Sequence, residues 1–150
     1  MNDLKITGID VTLCETRVKG NFADSTRNVE TIGFAVVDVS TDQGLHGIGV
    51  TYHEVGGEAI RDFIKYAIEP KMIGRSPFET EVLYEENFHY MRGVGRKGLA
   101  FCAYSAVDIA LWDLKGRLWV CLCSVCLAAP IRKYRFTRPA DGPAIPQRNW

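Results

Sequence analysis

The chain has 150 residues, of which 47% are hydrophobic and 24% are charged, so it can form one domain with a buried core. Its 18 basic and 18 acidic side chains give a formal net charge of zero, so charge predicts neither a nucleic-acid nor a membrane partner. The N-terminus lacks an apolar signal-peptide core, and the most apolar stretch, residues 118–129, is shorter than the roughly 20 residues of a spanning helix. We therefore expect a cytoplasmic protein.

Three segments with apolar and polar residues in alternation predict strands: residues 6–14, 31–39 and 45–52. In the first, Ile9, Val11 and Leu13 share one face, which indicates a half-buried strand. The polar stretch 15–28 predicts a long loop. The second and third strands are joined by a short turn that contains Gly44, which is typical of a hairpin. The three segments together predict an antiparallel meander.

Helical spacing of apolar residues begins after the third strand. The first helix has a stripe made by Ala59, Ile60, Phe63, Ile64, Ala67 and Ile68. We expect Pro70 to stop this helix. A capping box is predicted next, in which the Ser76 side chain accepts from the Glu79 amide and Glu79 reaches back, with Pro77 at the first helical position. This second helix is expected to end at about Met91.

A third helix is predicted at residues 99–117, after a glycine-rich loop. Its buried face is expected to contain Leu99, Ala103, Ala106, Val107, Ala110, Leu111 and Leu114. Strands first and helices after indicate an α+β fold, a three-stranded antiparallel meander followed by a bundle of about three helices. Because the periodicity fails from Trp119, we expect a domain over 1–118 and an irregular tail over 119–150.

The tail differs from the rest of the chain in charge and in cysteine content. Residues 131–150 contain five basic residues and one acidic residue, a net +4, which leaves −4 on residues 1–130. Residues 119–130 are apolar and contain Cys121, Cys123 and Cys126, which together with Cys14 and Cys102 we expect to be reduced thiols. A structural zinc site normally uses four ligands, so a small apolar cluster is the simpler interpretation. A zinc-binding fragment that uses these three cysteines is kept as an alternative.

Two local patterns could indicate chemistry. Residues 93–98 match the glycine spacing of a dinucleotide loop, but a helix rather than a strand precedes them, so they are interpreted as a helix-to-helix connection. Arg96 and Lys97 could still hold an anion where the next helix begins. His53 and Glu54 follow the third strand, where such a pair serves acid–base chemistry or lies in a solvated loop. From these residues alone, no active site is identified.

One longer pattern points to a family. Residues 104–116, YSAVDIALWDLKG, resemble the long helix that closes the N-terminal capping domain of enolase-superfamily enzymes of the mandelate racemase and muconate-lactonizing type. Residues 68–77, IEPKMIGRSP, resemble the family's segment that ends the first helix and opens the second. The resemblance covers residues 4–118, and the tail after residue 118 is unlike the family.

The resemblance implies that this domain does not itself catalyse. In the family, a following barrel has three carboxylates that bind Mg²⁺, and a Lys or His base removes a proton next to a substrate carboxylate, which is isomerase or lyase chemistry. This chain lacks those carboxylates and bases, so the resemblance leaves open whether it is an enzyme. We expect it to bind no metal and to be inactive alone.

The resemblance also implies two loops that close over the barrel mouth and select the substrate. They correspond here to residues 18–25 and 51–55, with Asn21, Phe22, Asp24, Tyr52 and His53 as candidate substrate-binding residues. Their polar character favours an acid sugar as the small carboxylate substrate. The alternative is a non-enzymatic interaction module that self-associates through an apolar helix face, left exposed without a barrel.

Overall fold

The computed structural model describes residues 4–20, 23, 25 and 28–118. Three strands, β1 (Ile6–Arg17), β2 (Thr31–Thr41) and β3 (His46–His53), form an antiparallel sheet in the order β1-β2-β3. The helical segments follow as α1 (Gly57–Phe63), a π-helical segment (Ile64–Ile68), α2 (Glu69–Met72), α3 (Thr80–Tyr90), a 3₁₀ turn (Met91–Gly93) and α4 (Leu99–Leu118). The predicted α+β order, a meander followed by helices, is confirmed.

One face of the sheet is apolar and packs against the helices. Along β2 the alternation buries Ala35, Val37 and Val39, and in β1 Ile9 is fully buried on the same face. β1 and β2 are longer than predicted, since β2 continues to Thr41 and β1 continues to Arg17, which pairs with Thr31, whereas β3 keeps the predicted length. Cross-strand hydrogen bonds, rather than the local sequence, therefore determine where the strands end.

Helix α4 packs directly against β3 through two glycines. A Cβ atom on Gly49 would lie 2.7 Å from the Ala110 nitrogen, and one on Gly47 would lie 2.8 Å from the Leu114 Cβ. Neither position has room for a side chain unless the helix moves. The predicted buried face of α4 is confirmed except at Leu99, which is 41% exposed because it is the first residue of the helix and burial begins one residue later.

Side chains from the helices cover both edges of the sheet. On β1, the Ile9 amide donates to Glu69 Oε1 at 3.1 Å, and the Ile9 carbonyl accepts from Lys65 Nζ at 3.3 Å. On β3, the Ile48 amide donates to Asp113 Oδ2 at 2.8 Å. Unpaired edge groups can pair with another chain, so these contacts block edge-to-edge association at both positions.

The prediction that Pro70 stops the first helix is wrong. The chain stays helical to Met72 and leaves helical geometry only at Ile73, where ψ is 131°. The proline ring would collide with the carbonyl four residues earlier in a regular α-helix, and proline has no amide to donate. The π-helical segment (Ile64–Ile68) immediately before Pro70 winds more widely and accommodates the ring.

The predicted capping box at Ser76 is also wrong. Helix α3 begins at Thr80, and Ser76 Oγ accepts from the Phe78 amide at 3.3 Å, whereas the Glu79 amide donates to the Ser76 carbonyl at 3.2 Å. The Glu79 carboxylate instead accepts from Arg75 Nη2 at 2.9 Å. A charged guanidinium forms a stronger hydrogen bond to a carboxylate than a backbone amide forms. The Glu79 carboxylate therefore pairs with Arg75 instead of the Ser76 amide.

Candidate functional site

The two loops that were predicted to face a substrate emerge from the same end of the sheet. Arg17 pairs with Thr31, and Gly33 pairs with His53, so β1 and β3 end where β2 begins. A cavity of about 160 Å³ lies at this end of the sheet and is lined by Glu54 and Val55 of the second loop and by the segment that leads into β2: Asn28, Val29, Glu30 and Thr31. The meander therefore brings residues from two distant parts of the chain to one cavity.

A second cavity, of about 500 Å³, lies beside the first loop. It is lined by Arg17, Val18, Gly20, Asn28, Val29, Glu30 and Thr31. The Val18 amide donates to the Glu30 carbonyl at 2.9 Å, and Ala23 forms an isolated bridge with Asn28, so the base of this loop is closed by backbone pairing. Arg17, Asn28 and Glu30 give the cavity charged and amide groups that suit hydroxyl and carboxylate ligands.

Tyr52 and His53 lie on opposite faces of the sheet. Tyr52 is 44% exposed on the outer face, where its ring meets Phe34 edge to face at 6.3 Å between centroids. His53 is only 5% exposed, on the inner face. Because side chains alternate along a strand, the structure does not bring these two candidates together.

His53 is held between two glycines. A Cβ atom on Gly33 would lie 2.6 Å from His53 Nδ1, and one on Gly57 would lie 2.7 Å from Nε2. Neither ring nitrogen has a hydrogen-bond partner among the residues that the structure describes. Such burial costs about 1–3 kcal/mol per unsatisfied group. The interpretation of His53 as part of a solvated loop is therefore wrong, while its role in substrate binding stays a prediction.

Three candidate residues, Asn21, Phe22 and Asp24, lie outside the described residues, and their role stays a prediction. The sequence analysis did not identify Gly33 and Gly57 as the surroundings of His53, nor Phe34 as the neighbour of Tyr52. Alternation in β2 combined with antiparallel pairing could have placed Phe34 beside Tyr52. No local signal indicates which side chain fills the space above a glycine.

The other predicted motifs have structural roles in the described part of the chain. Helices lie on both sides of the 93–98 loop, and Arg96 Nε donates to the Phe88 carbonyl at 3.0 Å while its guanidinium lies 4.1 Å from the Phe88 ring centre. On α4, Arg117 Nε lies 2.7 Å from Asp113 Oδ2, one helical turn earlier. Both basic motifs therefore support helix packing, and anion binding by Lys97 stays a prediction.

The described residues do not fit a metal centre. No group of three or more His, Cys, Asp or Glu side chains within 4–20, 23, 25 and 28–118 could hold a metal ion. Cys14 and Cys102 are free thiols, and the three cysteines of the zinc alternative lie outside the described residues. In the same ranges, no helix combines the length and apolarity needed to cross a membrane.

Comparison with known proteins identifies related sequences. A family model described as "Mandelate racemase / muconate lactonizing enzyme, N-terminal domain" matches residues 8–121. The chain is 29% identical over 114 residues to the D-galactarolactone cycloisomerase of Agrobacterium fabrum, covering 76% of this chain and 29% of the relative. It is 34% identical over 115 residues to a D-galactonate dehydratase family member of Paenibacillus sp. JDR-2, and the match covers 75% of this chain and 24% of that relative. The chain thus spans less than a third of the length of either relative.

A solved structure shares the fold. The L-talarate dehydratase of Polaromonas sp. JS666, complexed with Mg and L-glucarate, superposes with a TM-score of 0.69 at 25% identity. The match covers 77% of this chain and 33% of that one. The similarity again corresponds to one part of a longer protein.

Proposed function

This chain belongs to the mandelate racemase/muconate lactonizing enzyme family as an N-terminal domain, and we propose that it acts as the substrate-selecting cap of an acid-sugar dehydratase, racemase or cycloisomerase. The single observation that carries the proposal is the cavity of about 160 Å³ at one end of the sheet, where the second loop meets the segment that leads into β2. A cap requires such a surface, because it must present residues from more than one loop to a ligand held by another domain.

The chemistry of the loop ends supports a polyhydroxylated carboxylate as the substrate. Arg17 offers guanidinium donors for a carboxylate, and Asn28 offers both donors and acceptors for hydroxyl groups. The relatives named above act on sugar acids or their lactones by name, and the solved L-talarate dehydratase is complexed with L-glucarate. Asn21, Phe22, Asp24, Tyr52 and His53 are proposed to complete the substrate-facing set.

Catalysis is proposed to belong to a barrel domain outside this chain. The described residues contain no metal-binding cluster, and the family resemblance assigns the Mg²⁺ ligands and the bases to the barrel. The cap therefore contributes specificity and exclusion of water from the reacting centre.

A domain exchange tests this proposal. Residues 1–118 would replace the N-terminal domain of the Agrobacterium fabrum cycloisomerase, and kcat/KM would be measured with Mg²⁺ over a panel of acid sugars. We expect turnover with an altered substrate preference, and about a tenfold loss of kcat/KM when Asn21→Ala and Asp24→Ala are combined, which is about 1.4 kcal/mol. A matched control, Thr7→Ala on the exposed face of β1, should change kcat/KM less than twofold.

Two outcomes of the exchange are decisive. A folded chimera with the parent's substrate profile, and with no response to the loop variants, would contradict a role in specificity. Circular dichroism and size-exclusion chromatography separate that outcome from misfolding.

A second candidate function is self-association, and one observation favours it. The outer face of the sheet exposes Phe34, Ile48, Val50 and Tyr52, which are each 38–45% exposed. Helix α4 exposes two large apolar side chains, Leu99 at 41% and Ile109 at 46%, whereas the outer sheet face exposes four, so the outer sheet face is the better candidate. Light scattering after size exclusion tests it, since a monomer at all concentrations would exclude self-association.

A further inference from the structure

A groove of about 450 Å³ lies between α3 and α4. It is lined by Thr80, Glu81, Tyr84, Glu85, Asp108 and Trp112. None of these residues lines the cavities at the loop end of the sheet. The groove is thus a separate feature, with three carboxylates set among aromatic rings.

The acidic charge of the groove is only partly neutralised by the residues that the structure describes. Glu81 and Asp108 make no hydrogen bond or ion pair with a described residue, and Glu85 approaches only His89, at 3.8 Å on the surface. Lys115 is the nearby cation, and its ammonium donates to Thr80 Oγ1 at 2.7 Å. Burial raises the pKa of Asp108 and Lys115 opposes that rise, so a further cation would stabilise this carboxylate.

An unpartnered hydroxyl lies behind the groove. Tyr104 is 1% exposed, its hydroxyl has no hydrogen-bond partner among the described residues, and its ring centre is 5.9 Å from that of Tyr84. Its pKa is raised, first by burial and then by the charges of Asp108 and Tyr84, which both line the groove. Because Tyr104 is buried and does not itself line the groove, an occupant of the groove would contact Tyr84 and Asp108 rather than this hydroxyl.

The same chain contains a segment of complementary charge. Residues 131–138 contain Arg132, Lys133, Arg135 and Arg138 and no acidic residue, and they also contain Tyr134 and Phe136. Guanidinium groups form paired hydrogen bonds with carboxylates and stack on aromatic rings, which are the two kinds of group that line the groove.

The chain geometry permits the contact. Trp112 lies six residues before Leu118, the last residue of α4, which corresponds to about 9 Å of helix. The 12 residues at 119–130 can span up to about 40 Å when extended. The extended length of the connection therefore exceeds the distance to the groove. A short tether of this kind gives the segment an effective concentration at the groove on the order of millimolar.

We propose that residues 131–138 bind in the groove between α3 and α4 of the same molecule, with their basic side chains paired to Glu81, Glu85 and Asp108. This contact does not depend on the proposed capping function. It assigns the basic segment a position that covers the aromatic and acidic surface of the two helices.

Zero-length cross-linking of the full chain with a carbodiimide tests the contact. Lys133 is the sole lysine in residues 119–150, so an amide between Lys133 and a groove carboxylate identifies the pair by mass spectrometry. We expect a monomeric product that joins Lys133 to Glu81, Glu85 or Asp108. The variant R132E/R135E should lower its yield about tenfold, equivalent to about 1.4 kcal/mol.

A charge exchange gives the matched rescue. Adding E81R/E85R to R132E/R135E restores opposite charges, and the Lys133–Asp108 product should return. E58Q removes an exposed carboxylate on α1, outside the groove, and should leave the yield unchanged. The milder E81Q/E85Q should lower the yield with an unchanged circular dichroism spectrum, which separates lost contact from lost fold.

Three outcomes would overturn the proposal. Cross-linked dimers in place of monomers would show that the segment binds a second copy. A yield that is indifferent to R132E/R135E and to E81Q/E85Q would show random encounters. Products of Lys133 that are distributed over all exposed carboxylates would exclude a defined site.

Discussion

The close packing of α4 on β3 makes Gly49→Ala a sharp test of the fold. The added methyl group would overlap the Ala106 carbonyl oxygen and lie 2.7 Å from the Ala110 nitrogen. Both atoms belong to the backbone of α4, so the whole helix must shift to make room, because no flexible side chain can move aside. Overpacking of a core costs about 1–3 kcal/mol, and a rigid backbone neighbour places this variant at the upper end.

The expected loss is therefore about 3 kcal/mol in the free energy of unfolding. For a domain of this size each kcal/mol lowers Tm by about 4 °C, so Tm should fall by roughly 12 °C. Urea denaturation followed by far-ultraviolet circular dichroism measures the free energy, and a thermal scan measures Tm.

Gly8→Ala is the matched control, since Gly8 also lies in a strand but has nothing within 4 Å of the added atom. It should be neutral, or stabilising by about 0.4–1 kcal/mol through the unfolded chain. An ordinary surface substitution changes the free energy of unfolding by about 0.5 kcal/mol. If the unfolding free energies of Gly49→Ala and Gly8→Ala differ by no more than about this amount, the close approach of α4 to β3 is refuted.

Three further predictions concern single interactions and the chain's activity. Thr80→Val removes one hydrogen-bond acceptor of the buried Lys115 ammonium and should cost about 1.5–3 kcal/mol in urea denaturation, whereas exposed Thr7→Val should cost under about 0.5 kcal/mol. Arg75 lowers the pKa of Glu86 by hydrogen bonding, so Arg75→Gln should raise that pKa towards its ordinary value in an NMR titration, while Arg61→Gln leaves it unchanged. The stabilisation from the Arg75–Glu86 pair is present above the ordinary pKa of Glu86 and is lost as the pH falls through the lowered one, so wild type and Arg75→Gln should converge in acid. The chain alone with Mg²⁺ and acid sugars should show no turnover, and activity that persists through rigorous purification would contradict that expectation.

Periodic patterns predicted the elements whose burial is regular. Alternation at 31–39 and the stripe at 99–117 correspond to β2 and α4, because burial against a flat sheet or along one helix face repeats with the period of the element. Where a single residue was used as a stop or cap signal, prediction failed. Pro70 is accommodated by a π-helical segment, and Glu79 is bound by Arg75 instead of capping a helix.

The candidate site was predicted only in part, for a related reason. Resemblance placed the two loops, and antiparallel pairing brings their ends together. The burial of His53 between Gly33 and Gly57 depends on three positions separated along the chain, and no spacing in the sequence relates them. The same holds for the contact between Gly49 and the backbone of α4.

The sequence by itself determined the order of strands and helices, the apolar faces of β1 and α4, and the family, whose model matches residues 8–121. These properties follow from local periodicity and from contiguous motifs. Only the tertiary structure decided where β1 ends, how Pro70 is tolerated, and that Tyr52 and His53 face opposite sides of the sheet. It also decided that three carboxylates on α3 and α4 share one groove. Each of these depends on atoms that are distant in the sequence and adjacent in space. Which of several possible partners a group contacts is therefore decided only when the chain folds.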